Sequence, residues 1–228
     1  MEKPLGIPGC EGKELNQIIG LLVVLTGPPA SGKDVLMEEF MKQEFARFLN
    51  FQQVITNTDR KIRDGESPKS HHFITPKELD ALKENNELVE DIVQTGLSRK
   101  ATSKAEIERL FSGENLIWRV DPSLAAKIAT GEFFKTHFPE YSEVLQVKTL
   151  VACINAPMET LVARRIRREG KNYNPENFRL RNEFEVPHLK TLSETAIVIE
   201  NPDGQLTETV EIFTQIVKNH HAKIKNKN

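Results

Sequence analysis

Eight consecutive residues, GPPASGKD at positions 27–34, place two glycines, a lysine and an acid between an apolar run and a helical pattern. Gly27 and Gly32 permit a tight turn in which backbone N–H groups converge on an anion, and the helix that follows adds the positive end of its dipole. Lys33 supplies a point charge suited to β- and γ-phosphates. The stretch matches the phosphate-binding pattern G-x-x-x-x-G-K-[ST] except at its last position, where Asp34 replaces a hydroxyl residue. Asp34 has two readings. A carboxylate is a hard oxygen ligand for magnesium, and an acid in the first turn also complements the helix dipole.

The elements around the loop satisfy its context. Residues 21–26 form a continuous β-rich apolar run, as in a central parallel strand covered on both faces. A helix is expected from Lys33 to about Phe48, with Val35, Leu36, Phe40 and Phe45 spaced to face a core. A short strand follows at 51–56, then the polar, turn-rich segment TNTDRKIRDGESPKSH at 57–72, which cannot build a core and reads as a functional loop. Thr75 and Glu78 form a capping box with Pro76 at the first helical position, so a helix begins there. Strands are expected at 87–94, 115–121, 149–157 and 196–201, and helices at 102–112, 158–170, from the KNYNP break to about 190, and at the C-terminus. Strands alternating with helices of this length predict an α/β fold with a mostly parallel sheet.

Bulk properties narrow the class. A chain of 228 residues supports one sizeable core or a core with an insert. The net charge of -2 argues against a general nucleic-acid-binding protein. The longest apolar run, IIGLLVVL, is far shorter than the roughly 20 residues of a membrane helix, and the start MEKPLGIPGCEGKEL has no apolar core of the secretory kind. Cys10 and Cys153 lie far apart without metal-ligand spacing and read as reduced thiols. These features predict a cytoplasmic protein without membrane or nucleic-acid partners.

The order Arg60-x-x-Arg63-x-Gly65-Glu66, His71-His72-Phe73, a helix, then Glu87-x-x-Glu90 resembles the nucleoside-monophosphate-binding insert of guanylate kinases. With the loop before it and arginines Arg164, Arg165, Arg167, Arg168 and Arg181 after it, the resemblance spans roughly residues 20–218. It implies a three-layer P-loop kinase fold with a parallel central sheet, an acceptor-binding insert at about 58–101 and an arginine-rich lid at about 165–182, within a single domain.

The resemblance assigns roles residue by residue. Gly27, Pro28, Pro29, Ala30, Ser31, Gly32, Lys33, Asp34 and Val35 would hold the ATP phosphates, and Asn201 would border the adenine. Arg60 and Arg63 would fork onto the acceptor phosphate. Glu90 would accept from the N1–H and amino edge of a guanine. Lys33, Arg165, Arg168 and Arg181 would neutralise charge on the transferring phosphoryl group. Asp34 and Asp121 would approach magnesium, Asp121 standing at the second acid of the family's D-x-D, whose first acid is Arg119 here.

Each has a plainer alternative: a solvated loop for the arginines, strand-edge charges for Glu90 and Asp91, and a cap for Asp121, which precedes Pro122. The chain also departs from the pattern. His71 replaces the tyrosine of D-Y-x-F, and Ser70 the aspartate before it. The Y-G-[ST] step reads LSRKATS, with Arg99 or Lys100 in place of the phosphate-contacting tyrosine.

The implied reaction is magnesium-dependent transfer of the γ-phosphoryl of ATP to GMP or dGMP, by a monomer or homodimer. A sugar-phosphate acceptor, such as a ribose bisphosphate, is the alternative that Asp34 favours. A non-catalytic binding module on the same fold is the third reading, against which Lys33 and both loop glycines speak.

Overall fold

A computed structural model describes residues 18–62, 66–95 and 98–226. In chain order the elements begin with β1 (Leu22–Thr26), α1 (Lys33–Lys42), α2 (Glu44–Phe48), β2 (Gln52–Gln53), β3 (Asn57–Thr58), β4 (His72–Phe73) and α3 (Pro76–Glu84). They continue with β5 (Val93–Thr95), β6 (Ser98–Ala101), α4 (Lys104–Glu108), β7 (Leu116–Arg119), α5 (Pro122–Ala129), α6 (Glu132–His137) and α7 (Ser142–Lys148). The last are β8 (Thr149–Asn155), α8 (Met158–Glu169), α9 (Pro175–Thr195), β9 (Ile197–Glu200) and α10 (Leu206–Lys225).

Five strands in the order β2-β7-β1-β8-β9, all parallel, make the central sheet. The apolar run of β1 is buried along its whole length because successive side chains enter different cores. Leu22 and Val24 join Trp118, Phe133 and Phe134 on one face, while Val23 and Leu25 join Leu36, Phe40 and Phe213 on the other. The helices α5, α6, α7 and α9 cover the first face, and α1 and α10 the second. This is a three-layer α/β arrangement with a parallel central sheet, as expected.

A second sheet, ordered β4-β3-β6-β5, lies within residues 57–101. It pairs β3 with β4 in parallel and is otherwise antiparallel. Glu106 fastens it to the central body: its carboxylate accepts from the Ile55 N–H and Arg109 Nη1, both at 2.9 Å, and pairs with His72 Nε2 at 2.9 Å.

Several boundaries differ from the sequence expectation. The helix expected over 33–48 breaks at Gln43, whose extended backbone (φ -64, ψ 143) ends α1 and begins α2. Val35 is largely exposed instead of facing the core. The 87–94 segment is strand only at Val93–Thr95, with an isolated bridge from Leu88 to Ser103. The helix at 102–112 begins at Lys104 and tightens to a 3-10 turn over Arg109–Ser112. Strand pairing at 51–56 is confined to Gln52–Gln53, and α9 runs on to Thr195. Residues 122–148, where no elements were anticipated, fold into α5, α6 and α7, which carry the aromatic side of the core. The capping box is present: Thr75 N–H donates to Glu78 at 2.6 Å, and Glu78 N–H donates to Thr75 Oγ1 at 3.2 Å.

Candidate active site

The loop at 27–34 joins the end of β1 to α1. Gly27 has φ +135, and a Cβ there would stand 2.0 Å from the Ile154 carbonyl oxygen of β8. Gly32 has φ +92, and a Cβ would meet Asn201 Nδ2 at 2.4 Å. Both glycines are therefore demanded by backbone conformation and by space. Ala30 also takes a positive φ of 68, a conformation most side chains avoid. Inside the loop the buried Ser31 Oγ has no hydrogen-bond partner. The orphaned hydroxyl and the open glycine surface fit a phosphate group.

Lys33 folds back over this loop, donating to the carbonyls of Gly27 and Pro28 at 3.1 and 3.2 Å. Burial holds its pKa below the usual lysine value, with Asp34 and Glu185 opposing and Arg181 and Arg119 adding to the depression. A partly desolvated ammonium of this kind gains strongly from an incoming anion.

Asn201 is buried behind the loop, its Nδ2 donating to Ser31 O at 2.7 Å and its Oδ1 accepting from Thr209 at 3.2 Å. Arg164 braces the same region: its Nη2 donates to Asn201 O at 2.9 Å, its Nη1 reaches Ser31 O at 3.3 Å, and its Nε pairs with Asp203 at 2.8 Å. Beside these residues opens a cleft of about 330 Å³ bounded by Gly32, Val35, Arg167, Arg168 and Leu206. Val35 is thus exposed because it lines this cleft.

A larger cleft of about 760 Å³ is lined by Glu90, Asp121, Phe133, Arg181 and Glu185. Glu90 lies deep in it, with Oε1 accepting from the Thr102 N–H at 2.8 Å and the Thr102 hydroxyl at 2.5 Å. Burial raises its pKa above the ordinary carboxylate value, the two Thr102 bonds oppose that rise, and Asp121 reinforces it. Asp121 Oδ1 caps α5 by accepting from Ser123 N–H at 2.8 Å and Leu124 N–H at 3.1 Å. It therefore both caps and faces the cleft.

Arg60 makes a forked pair with Glu66 at 2.6 and 2.5 Å, and its guanidinium lies 5.4 Å from the Phe73 ring centre. Glu66 also accepts from Ser70 Oγ at 3.1 Å and faces His71 Nε2 at 3.9 Å. Burial, then Arg60, lowers the His71 pKa, and its buried Nδ1 has no partner. Arg63 lies outside the described residues.

Other anticipated residues are placed differently. Arg99 Nε is engaged with Asp59 and its Nη1 with Asp80, both at 2.6 Å. The neighbouring Lys100 is the one whose charge reaches both His71 and Glu90. Arg165 is turned toward α9, with Nε on Glu169 at 2.6 Å and its guanidinium over Phe178 at 5.4 Å. Arg168 borders the smaller cleft and Arg181 the larger. Asp34, expected at a metal, accepts from Arg119 Nη1 at 2.5 Å. Among the described residues no three His, Cys, Asp or Glu side chains gather as a metal site.

Glu185 and Thr102 were not singled out from sequence, and Arg164 entered only as one member of the arginine run. Glu185 is almost fully buried, accepts from Arg181 Nε at 2.8 Å, and leaves Oε2 unpartnered. Its only sequence signal was the four-residue spacing from Arg181. Nothing local separated Arg164 from the other arginines of its run.

Fold and loop together define a P-loop α/β protein. The guanylate kinase family model matches residues 20–138, just over half of the chain, which accordingly belongs to that family. A guanylate kinase of Nostoc sp. is 22% identical over 205 residues, covering 86% of this chain and 96% of that protein. The guanylate kinase of Clostridium tetani is 33% identical over 104 residues, 45% of this chain and 47% of the relative. The chain thus spans nearly all of the first relative and about half of the second. The crystal structure of guanylate kinase from Anaplasma phagocytophilum superimposes with a TM-score of 0.54 at 18% identity, over 89% of this chain and 86% of that one. That likeness concerns the fold. Among the described residues no helix is long and apolar enough to cross a membrane.

Proposed function

We propose that this chain transfers the γ-phosphoryl group of ATP to GMP or dGMP. The observation that carries the reading is a pair of clefts that share the phosphate loop's charges: the smaller opens on Gly32, while Arg181 and Glu185 of the larger act on Lys33, and the larger holds a partly buried acceptor, Glu90. Family membership and the relatives named guanylate kinase support it. In this reading the domain divides into a core, an acceptor insert at about 58–101 and a lid at about 165–182, and acts in the cytoplasm on nucleotides.

The loop N–H groups and Lys33 hold the donor phosphates, while Val35 and Asn201 border the adenine. Arg60 and Arg63 fork onto the acceptor phosphate, with Lys100 taking the part first given to Arg99 and His71 adding a neutral donor. Glu90, oriented by Thr102, accepts from the two N–H donors on the guanine edge. Arg168 and Arg181 neutralise charge over the transferring group, whereas Arg165 supports the lid. Closing the 165–182 segment over the clefts excludes water. Magnesium fits as an ion carried in by ATP, because it keeps several waters and needs only one or two carboxylates, here Asp34 and Asp121. It would supply charge neutralisation across the β- and γ-phosphates. The acceptor phosphate is already ionised at neutral pH, so no side chain needs to act as a base.

The test is ADP release from Mg-ATP with a panel of nucleoside monophosphates and sugar phosphates. Turnover with GMP or dGMP is the expected result. Turnover only with a sugar phosphate, or neither turnover nor ATP binding, overturns the assignment.

A further inference from the structure

The loop's unusual acid and the strand's unusual base are partners. Asp34 lies in the first turn of α1, Arg119 ends β7, and the two are 85 positions apart yet joined at 2.5 Å. Relative to the G-K-[ST] and D-x-D patterns, a negative charge has moved from the strand end to the helix start, and a positive charge has taken its former place. The pair sums to zero, where a hydroxyl and a carboxylate would sum to one negative charge. A cradle for a triphosphate loses one repulsive charge by this exchange.

Arg119 stands where the two halves of the site meet. It pairs in register with Leu25, near the point where β1 enters the loop, and it is two residues before the cleft-lining Asp121. Its charge reaches Lys33 on the donor side and His71 on the acceptor side. Both members of the pair are substantially exposed, with 37% of the Arg119 side chain and 52% of the Asp34 side chain accessible. An ion pair so open to water is weak and gives way readily to a more highly charged anion.

Resting on the proposed function, we infer that Arg119 is a phosphate-binding residue at the junction of the donor and acceptor phosphates, held on Asp34 until a triphosphate enters. An entering triphosphate takes over the guanidinium, which can fork onto two phosphate oxygens. Asp34 is then released toward the solvent and the ion that ATP brings.

The test measures ATP binding in excess EDTA, so that magnesium plays no part, for the wild type, Arg119→Ala, Asp34→Asn and the double variant. Arg119→Ala should weaken binding by about tenfold, the value of a charge-assisted contact. Asp34→Asn should tighten it, because the competing carboxylate is gone. The double variant should be weaker than Asp34→Asn by about the same tenfold. If Arg119 merely shields Asp34 from phosphate, its removal has no effect once Asp34 is neutral, and the inference is overturned. Thermal midpoints within a few degrees of the wild type, expected for two exposed positions, separate a lost contact from a lost fold. A wild type that neither binds ATP nor phosphorylates any nucleotide overturns the functional reading, and this inference with it. A wild type that does both while the double variant matches Asp34→Asn overturns this inference alone.

Discussion

Two residues test the chemistry most directly. The Lys33 ammonium hydrogen-bonds to the loop carbonyls of Gly27 and Pro28, so removing it leaves the body of the protein intact. Lys33→Ala should lower phosphoryl transfer on the order of 100-fold or more with little change in the melting midpoint, read by coupled assay and thermal denaturation. Glu90 carries a conflict between stability and recognition. Its raised pKa means that folding disfavours its charged form, so at neutral pH the ionised carboxylate costs stability. Glu90→Gln keeps an oxygen for Thr102 but offers a guanine edge a donor where it needs an acceptor. The KM for GMP should rise about tenfold or more, while the melting midpoint stays the same or increases. An unchanged acceptor preference would sink the guanine assignment.

At the scale of elements, the second sheet is tied to the central body through Glu106. One buried carboxylate satisfies the Ile55 N–H, Arg109 and His72 at once, linking β4, α4 and the end of β2. Glu106→Ala leaves the Ile55 N–H without its acceptor and takes from Arg109 one of its two carboxylates, the other being Glu114, a loss of about 2 kcal/mol. Because the same residue holds the insert in place, it should also raise the acceptor KM without a matching change for ATP. Steady-state kinetics in both substrates, together with urea unfolding, checks this. A uniform loss in both KM values would show instead that the whole body had loosened. The forked Arg60–Glu66 pair is a second tie of this kind inside the insert, since Glu66 also holds Ser70 and faces His71.

Across the whole molecule, His71, His137, His220 and His221 all have pKa values held below the usual 6.5, burial being the largest cause in each. The unfolded chain therefore binds more protons than the folded one once pH drops below about 6.5. Stability from these groups is fully present above that value and is lost as pH falls through their lower folded values. The melting midpoint should decline between pH 7.5 and pH 5.5, before most carboxylates titrate. A flat profile across that range would contradict the burial of these rings. Cys153, by contrast, has its thiol pushed up to about 11 by burial and should resist alkylation in the native protein at neutral pH.

The sequence by itself determined the loop and the parallel core, because each depends on local requirements. Gly27 and Gly32 answer to backbone angle, the 21–26 run to burial on two faces, and Thr75 with Glu78 to a helix start. Only the tertiary structure decided which charges face the clefts and which are paired away. Arg99 and Lys100 are neighbours in one strand, and the pleat sends one to Asp59 and Asp80 and leaves the other near Glu90. Arg164 and Arg165 likewise diverge around one helix, the first to the loop and the second to Phe178. The pairing of Asp34 with Arg119 was out of reach of local pattern, because sequence separation says nothing about which strand end meets which helix start. Long-range electrostatics is fixed by topology, and topology joins residues that the chain keeps apart.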